Sequence, residues 1–394
     1  MRHRSAPVKG FTAAVWLLAV AVLSSTIACE RKSGGAGDAT GDILVGFYGS
    51  LTGDGASFGQ SSREGAELAV DELNAAGGVL GRKLRLLVED DQSKPEEASN
   101  AVTKLVTQDK VVAVIGEVAS RRTLAAAPIS QKYQIPMITP ASTNAKVTEV
   151  GDYVFRVCFI DPFQGEVLAK FAYNDLKARK VAILRDQAQD YSVGLTDSVQ
   201  QNFTKLGGQV SAPVSYSTGD ADFKAALTRI RSEKPDVLFA TGYYPEAAII
   251  TRQARELGMT MPILGGDGWV GDALQNGREA LKNTYISNHY SGDNPDPVVQ
   301  NFVNSYKKRF NKDPDAIAAL GYDAIKVLAD SLTRANSTDG PKLRDAIASA
   351  DVPGVTGRLK MNAQRNVDKP AVVQEVTYAD GKVNFIYKTT INPG

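Results

Sequence analysis

From residue 42 onwards, short runs of β-branched and aliphatic residues alternate with segments in which apolar residues recur every three or four positions. Such alternation predicts parallel sheets with crossover helices. A capping-box pattern (SSRE, 61–64) is predicted to open the first helix, and a Pro in the first turn favours the second helix. The predicted elements of this first cycle are strand 43–47, helix from 61, strand 83–89, helix from 93, strand 111–115, helix 124–133 and strand 136–139.

A second cycle begins near Asp161 and repeats the order of the first. In each cycle an aromatic residue follows the first strand, Phe58 or Tyr191, and a Gly-Gly pair ends the next helix. The repetition predicts two lobes of like architecture, each a doubly wound parallel sheet of the α/β class. Because ligands bind beyond the carboxyl ends of such strands, two facing lobes would place both aromatic loops on one cleft. The predicted elements are helix 162–176, strand 181–184, helix 193–206, strand 209–214, helix 222–233, strand 237–240, helix 245–257 and strand 262–264.

The N-terminus has the pattern of an export signal. Arg2, Arg4 and Lys9 precede an uncharged stretch at 11–23 that is too short to span a bilayer of about 30 Å. The stretch ends at STIAC (25–29), which resembles a bacterial lipobox. This predicts a signal peptide at 1–28, lipid attachment to Cys29 and a flexible tether at 29–41, rich in Gly, Ser and charge. Ordinary cleavage without lipid stays open, because Thr26 stands where Leu is commonest.

Composition excludes several classes of function. Of the 394 residues, 43% are hydrophobic and the net charge is only +1, which fits a globular protein without a nucleic-acid-binding field. The two histidines are His3, in the signal, and His289, so a His-based zinc site is not expected. The phosphate-loop motif G-x-x-x-x-G-K-[ST] does not occur. We expect no enzyme, metal or cofactor, a structural role for His289, and a buried, unpaired Cys158.

Several motifs, jointly and in order, resemble the type I periplasmic-binding-protein family, in particular the branched-chain amino-acid receptors of ABC importers. They are GSLTG (49–53), NAAGGVLG (74–81), EDD (89–91), ITPAST (138–143), GYYPE (242–246) and QARELG (253–258). The resemblance implies an amino-acid ligand, hinge closure, delivery to an ABC permease in the membrane and a monomer without cofactors. It also implies three crossings between lobes, near Phe159, Asn288 and Gly354. The lobes would then be 42–158 plus 289–353 and 159–288 plus 354–394.

A zwitterion that leaves water needs donors for its carboxylate and acceptors for its ammonium. By resemblance, Ser120 and the Thr143 backbone hold the carboxylate, and the Ala141 carbonyl and the Thr143 hydroxyl accept from the ammonium. Asp267 provides the counter-charge, although it is shorter than the Glu usual in receptors for leucine-like ligands. Plain helix capping is the alternative for Ser120 and Thr143, and a turn residue is the alternative for Asp267.

The side-chain pocket is predicted to have aromatic walls, with a role in the core as the alternative for each residue. The predicted wall residues are Phe58, Tyr191, Tyr243 and Trp269. Arg121 and Arg122 are expected on a solvated helix face. If one of them faced the cleft instead, it would favour a ligand with an additional acidic or polar group.

Two other functions stay open at this point. One is a sensor for another small amino acid, an amide or an aromatic acid, without transport. The other is an extracellular enzyme that uses Asp267 and Asp90 as acid and base. The sequence names neither the ligand, nor the permease, nor the membrane that holds the anchor.

Overall fold

Five parallel strands form the sheet of the first lobe, in the computed structural model that describes residues 41–393. The elements are β1 (Ile43–Gly49), α1 (Ala56–Ala75), β2 (Leu84–Asp90), α2 (Pro95–Thr107), β3 (Ala113–Ile115), α3 (Ser120–Tyr133), β4 (Met137–Thr139), α4 (Lys146–Glu149) and β5 (Val154–Arg156). Their spatial order is β2-β1-β3-β4-β5. The chain direction across the sheet therefore reverses between β1 and β3, and ligands of such folds bind outside the strand ends at that point.

The second lobe repeats this order. Its elements are α5 (Asp161–Lys170), β6 (Lys180–Asp186), α6 (Asp190–Lys205), β7 (Gln209–Val210), β8 (Val214–Tyr216), α7 (Lys224–Ser232), β9 (Val237–Ala240), α8 (Tyr244–Glu256), β10 (Ile263–Gly265) and β11 (Thr284–Asn288). A π-helical turn extends α5 through Phe171–Asp175, and 3-10 turns cover Asp267–Trp269 and Asp272–Leu281. The order β7-β6-β9-β10-β11 matches that of the first sheet, with its own reversal between β6 and β9.

The rest of the described chain contributes elements to both lobes. The remaining elements are α9 (Pro297–Phe310), α10 (Ala316–Ala335), α11 (Gly340–Ala348), β12 (Asp351–Gly354), β13 (Gly357–Lys360), β14 (Ala371–Ala379) and β15 (Lys382–Ile391). Strands β14 and β15 add an antiparallel edge to the second sheet beyond β11. Helix α10 packs on α1, where a Cβ on Gly65 would lie 1.9 Å from the Ala318 carbonyl oxygen. The missing side chain allows this close helix crossing.

The three crossings between the lobes contact one another. The first passes through Phe159, whose ring stacks on His289 of the second crossing. Asn288 donates from Nδ2 to Gln374 Oε1 at 2.8 Å, which ties the second crossing to the start of β14. These contacts join the crossings into one hinge.

The third crossing lies later in the chain than the predicted Gly354. Asp323 of α10 accepts from the backbone N–H groups of Val355 (2.8 Å) and Thr356 (2.9 Å), so the β12–β13 hairpin is held on the first lobe. Arg156 N donates to Arg365 O at 3.2 Å in the same lobe. The chain joins the second sheet only at Ala371, where β14 begins.

Two local predictions also differ from the structure. The pattern at 61–64 does not open a helix, because α1 already begins at Ala56. The predicted strand 209–214 is two strands, β7 and β8, that pair with different parts of β6. The predicted signal, the Cys29 lipidation site and most of the tether lie outside the described residues. Within 41–393, no helix combines the length and the hydrophobicity needed to span a membrane.

Candidate functional site

A small cavity lies between the lobes at the carboxyl ends of both sheets. The empty space in it, including the part open to solvent, is about 210 Å³. Both lobes contribute to it, so a bound solute would touch each of them. The lining residues are Phe58, Val118, Ala141, Tyr191, Tyr243, Asp267, Gly268 and Ile317.

The aromatic walls come from the two sheet reversals. Phe58 lies in the first turn of α1 after β1, and Tyr191 lies in the first turn of α6 after β6. The rings of Tyr191 and Tyr243 stack at 5.0 Å between centroids and 8° between planes. Phe58 meets Tyr243 edge-on at 5.4 Å, across the gap between the lobes. Such edge-on and stacked pairs form a rigid apolar wall.

Trp269 does not line this cavity. Its side chain is fully buried, and its indole N–H donates to the Ala240 carbonyl at 3.0 Å. The ring fills the space over Gly265, where a Cβ would lie 2.3 Å from it. The structure thus places Trp269 in the core of the second lobe, so the core alternative describes it and the predicted wall does not.

The part of the site that is predicted to bind the ligand's carboxylate has two hydroxyl groups that do not cap a helix. Ser120 is the first residue of α3, is buried, and accepts through Oγ from the Asn144 N–H at 3.2 Å. The Thr143 hydroxyl is buried and has no hydrogen-bond partner within 41–393. Neither hydroxyl caps its own helix. A helix N-terminus beside an unpaired hydroxyl suits an anion.

Arg156, which the sequence analysis missed, holds the loop that carries Ala141 and Thr143. The buried guanidinium donates to the carbonyls of Ser142 (2.6 Å) and Asn144 (2.9 Å). A buried Arg that binds carbonyls keeps its charge inside the protein, and burial lowers its pKa. The only signal in the sequence was an Arg inside the otherwise apolar strand YVFRVCF (153–159).

Asp267 lies in the cavity wall with two donors already in place. Gln164 Nε2 donates to Oδ1 at 2.7 Å, and His289 Nε2 lies 2.9 Å from Oδ2. Burial lowers the pKa of His289 to about 4, despite the opposing effect of Asp267. The imidazole is therefore neutral at pH 7 and donates from Nε2. Gln164 and His289 are site residues that local sequence patterns did not reveal.

Of the two arginines after Ser120, Arg121 lies on the predicted exposed face and Arg122 does not. Arg122 is 6% exposed and lies 3.0 Å (Nε–Oε1) from Glu117 and 3.9 Å (Nε–Oδ1) from Asp91. Although burial opposes its charge, these two acids raise the pKa of Arg122. Arg121 is exposed, but its guanidinium donates to the Ala188 carbonyl of the second lobe. Asp90 binds the backbone N–H groups of Leu51 and Thr52, away from Asp267.

Further contacts hold the lobes together around the cavity. Asn144 Nδ2 donates to the Asp190 carbonyl at 2.7 Å, and the Tyr244 hydroxyl donates to the Asp54 carbonyl at 2.7 Å. Each bond joins a residue of the first lobe to a residue of the second. The described chain therefore has the closed arrangement of its lobes.

The sequence signature of the periplasmic binding proteins matches residues 42–382. The chain belongs to the periplasmic binding protein family. An amino acid binding protein from Pseudomonas aeruginosa is 34% identical to this chain. The match covers 81% of this chain and 86% of that protein. A Leu/Ile/Val-binding protein homolog from Brucella melitensis is 30% identical over 80% and 86%.

Solved structures of periplasmic binding proteins have the same fold as this chain. A leucine binding protein LivK from Thermotoga maritima has a TM-score of 0.84 at 41% identity, covering 89% of this chain and 99% of its own. LivJ from Streptococcus pneumoniae, in complex with isoleucine, has a TM-score of 0.82 at 34% identity, covering 89% and 100%. The family resemblance, the two-lobe fold and the assignment to binding proteins rather than enzymes are confirmed.

Proposed function

We propose that this chain is an extracytoplasmic solute-binding protein that captures a branched-chain or related amino acid and delivers it to an ABC-type importer. The observation that carries the proposal is the cavity between the lobes, which is lined by the buried Asp267 and by aromatic residues, with the N-terminus of α3 two residues after the lining residue Val118. The relatives named for leucine, isoleucine and valine support the same ligand class.

The roles of the residues follow from the two charges of the ligand. Ser120 and the Thr143 backbone would bind the carboxylate, because a helix N-terminus favours an anion. The Ala141 carbonyl and the Thr143 hydroxyl would accept from the ammonium, and Asp267 would supply negative charge. Phe58, Tyr191 and Tyr243 would cover the aliphatic side chain.

Capture works by hinge closure in this proposal. A ligand that touches both lobes favours the closed form by its differential affinity for the two forms. A dissociation constant near a micromolar corresponds to about 8 kcal/mol, which charge-assisted bonds and an apolar pocket can supply. The closed monomer would then dock on a permease.

A periplasmic or other extracytoplasmic location follows from the family's role in import. The finer proposal is that residues 1–28 are removed and that Cys29 carries lipid, with residues up to 41 as a tether. Mass spectrometry of the mature chain and a Cys29→Ala variant test this. A mature N-terminus other than lipidated Cys29 contradicts it.

A thermal-shift screen of the twenty common amino acids and simple amides tests the ligand class. Ligand at 100 times its dissociation constant should add about 2.7 kcal/mol of stability. Thr143→Val should remove that response, whereas the matched Thr103→Val, on the exposed face of α2, should keep it. If no amino acid raises the melting temperature of the wild-type protein, the proposed function is wrong.

A further inference from the structure

The loop that follows β6 in the second lobe meets the start of α3 in the first lobe. Arg121, the second residue of α3, donates from its guanidinium to the Ala188 carbonyl of this loop. Asn144 Nδ2 donates to the carbonyl of Asp190, two residues further along, at 2.7 Å. We call these two hydrogen bonds the rim contact. Both of its acceptors are uncharged backbone carbonyls.

The rim contact lies outside the proposed ligand cavity. Its four residues line a separate, larger groove between the lobes, and none of them is among the residues that line the cavity of Asp267. Arg121 is exposed to solvent, and only its outstretched side chain reaches the second lobe. The contact therefore joins the lobes without touching a solute that lies in the cavity.

The acceptor of the Arg121 bond is held in place by its own lobe. The Ala188 N–H donates to Asp186 Oδ1 at 2.8 Å, and the Gln187 N–H donates to the Tyr216 carbonyl at 2.9 Å. These bonds lie within the second lobe, so they do not depend on the first. When the lobes come together, only the Arg121 side chain has to be ordered, which keeps the entropic cost of the bond low.

The second bond of the rim contact depends on a glycine. A Cβ on Gly194 would lie 2.7 Å from Asn144 Nδ2, so a larger residue would displace the amide from the Asp190 carbonyl. The amide is also oriented from its own lobe, because Asn144 Oδ1 accepts from the Lys146 N–H at 3.0 Å. Donor and acceptor are thus each positioned before the lobes meet.

We propose that Arg121 is a latch on the closed form, which sets how long a captured amino acid stays in the cavity although it does not touch the amino acid. This inference rests on the proposed amino-acid function and adds to it a residue that controls release. The Arg121 bond joins the two lobes, so it exists in the closed form and is absent from the open form. It therefore shifts the equilibrium between the two forms toward closure.

Two kinetic properties follow from the latch. A solute enters the open form, in which the Arg121 bond is absent, so Arg121 leaves the association rate constant unchanged. A solute leaves after the bond breaks, so loss of the bond raises the dissociation rate constant, by about 5- to 20-fold for a hydrogen bond from a charged donor. Because the latch touches no solute, this factor is the same for every amino acid that the protein binds.

Arg121→Met tests the proposal, because it keeps an unbranched apolar side chain and removes the donors. Chasing radiolabelled L-leucine, L-isoleucine and L-valine with an excess of the unlabelled amino acid measures the dissociation rate constants. Calorimetry measures the dissociation constants, and the two together give the association rate constants. Dissociation of all three amino acids should accelerate by the same factor in Arg121→Met, and their association should not change.

Two controls separate the latch from a general effect of charge. Lys132→Met removes an exposed cation from the last turn of the same helix and should behave as wild type. The measurements are repeated in 0.05 and 0.5 M NaCl. Since the Ala188 carbonyl carries no net charge, the acceleration in Arg121→Met should be the same at both salt concentrations, whereas attraction between exposed charges is screened by salt.

The possible failures are distinguishable. If dissociation from Arg121→Met is as slow as from wild type, the latch is refuted while the amino-acid function stands. The same holds if the factor differs among the three amino acids, which would place Arg121 in contact with the ligand. A slower association that recovers in 0.5 M NaCl would instead assign Arg121 to electrostatic attraction of the solute and also refute the latch. If the wild-type protein binds no common amino acid, the proposed function itself fails.

Discussion

The ring of His289 stacks on the ring of Phe159 with 3.8 Å between centroids and 23° between planes. The two residues belong to different crossings between the lobes, so the stack joins two hinge segments directly. The same imidazole reaches Asp267 in the cavity wall through Nε2 at 2.9 Å. His289 therefore couples the hinge to the proposed ligand site, and its buried, neutral state suits a donor to a carboxylate.

We expect His289→Phe to keep the hinge stack and to weaken amino-acid binding about tenfold. The substitution leaves an aromatic ring on Phe159 but removes the donor to Asp267, and such a bond contributes about 1.5 kcal/mol. Calorimetry measures the affinity. Phe159→Leu, which removes the stack but keeps the donor, should lower stability more than affinity. Unchanged binding by His289→Phe would contradict the coupling.

Trp269→Phe should lower stability without changing which ligands bind. The variant loses the indole hydrogen bond to the Ala240 carbonyl and leaves that carbonyl unpaired, a cost of about 1–3 kcal/mol. Urea unfolding measures the loss. Tyr243→Ala, a change in the cavity wall, should instead reduce affinity in calorimetry. A change of ligand preference in Trp269→Phe would show that this residue contributes to the ligand pocket.

Gly266→Ala should disturb Tyr191 in a way that a second substitution relieves. A Cβ on Gly266 would lie 2.2 Å from the Tyr191 hydroxyl oxygen, so the ring must move out of the cavity wall. Removing that oxygen in Tyr191→Phe gives the methyl group room. We expect the double variant to bind the ligand more tightly than Gly266→Ala alone, with a coupling of roughly 0.5–3 kcal/mol. Additive losses in calorimetry would exclude this contact.

The unfolding free energy of the empty protein should fall as pH rises from about 4 to 8. The pKa of Asp161 is about 8 in the native state, raised mainly by burial, whereas an unfolded Asp titrates near 4. Between these values the native protein holds a proton that the unfolded chain has lost, so raising the pH favours unfolding.

Denaturant unfolding at pH 5, 6, 7 and 8 measures this slope. Asp161→Asn should reduce it but not abolish it, because burial also raises the pKa of Asp91 to about 7. Equal slopes in the two proteins would show that Asp161 is ionised in the empty site.

The order of strands and helices was predictable because its signals are local. The period of apolar residues, the Gly-Gly pairs and the aromatic residues after the first strands all lie within one element or one turn. Element ends were less predictable. The pattern at 61–64 has the spacing of a capping box, but α1 begins five residues earlier, at Ala56.

The hinge was partly predictable. Phe159 and Asn288 lie where two strands end and the chain leaves a sheet. The third crossing could not be located from Gly354, because hydrogen bonds from the distant Asp323 keep the hairpin on the first lobe.

The sequence by itself determined two α/β cycles with polar and aromatic residues at the carboxyl ends of their strands. Only the tertiary structure decided which of those side chains face the cavity. Trp269 lies in the core because its indole N–H donates to the Ala240 carbonyl and its ring fills the space over Gly265. Gln164 and His289 contact Asp267 although the three lie on different segments of the chain. Side-chain partners so far apart are chosen by packing, which the pattern within any one segment does not encode.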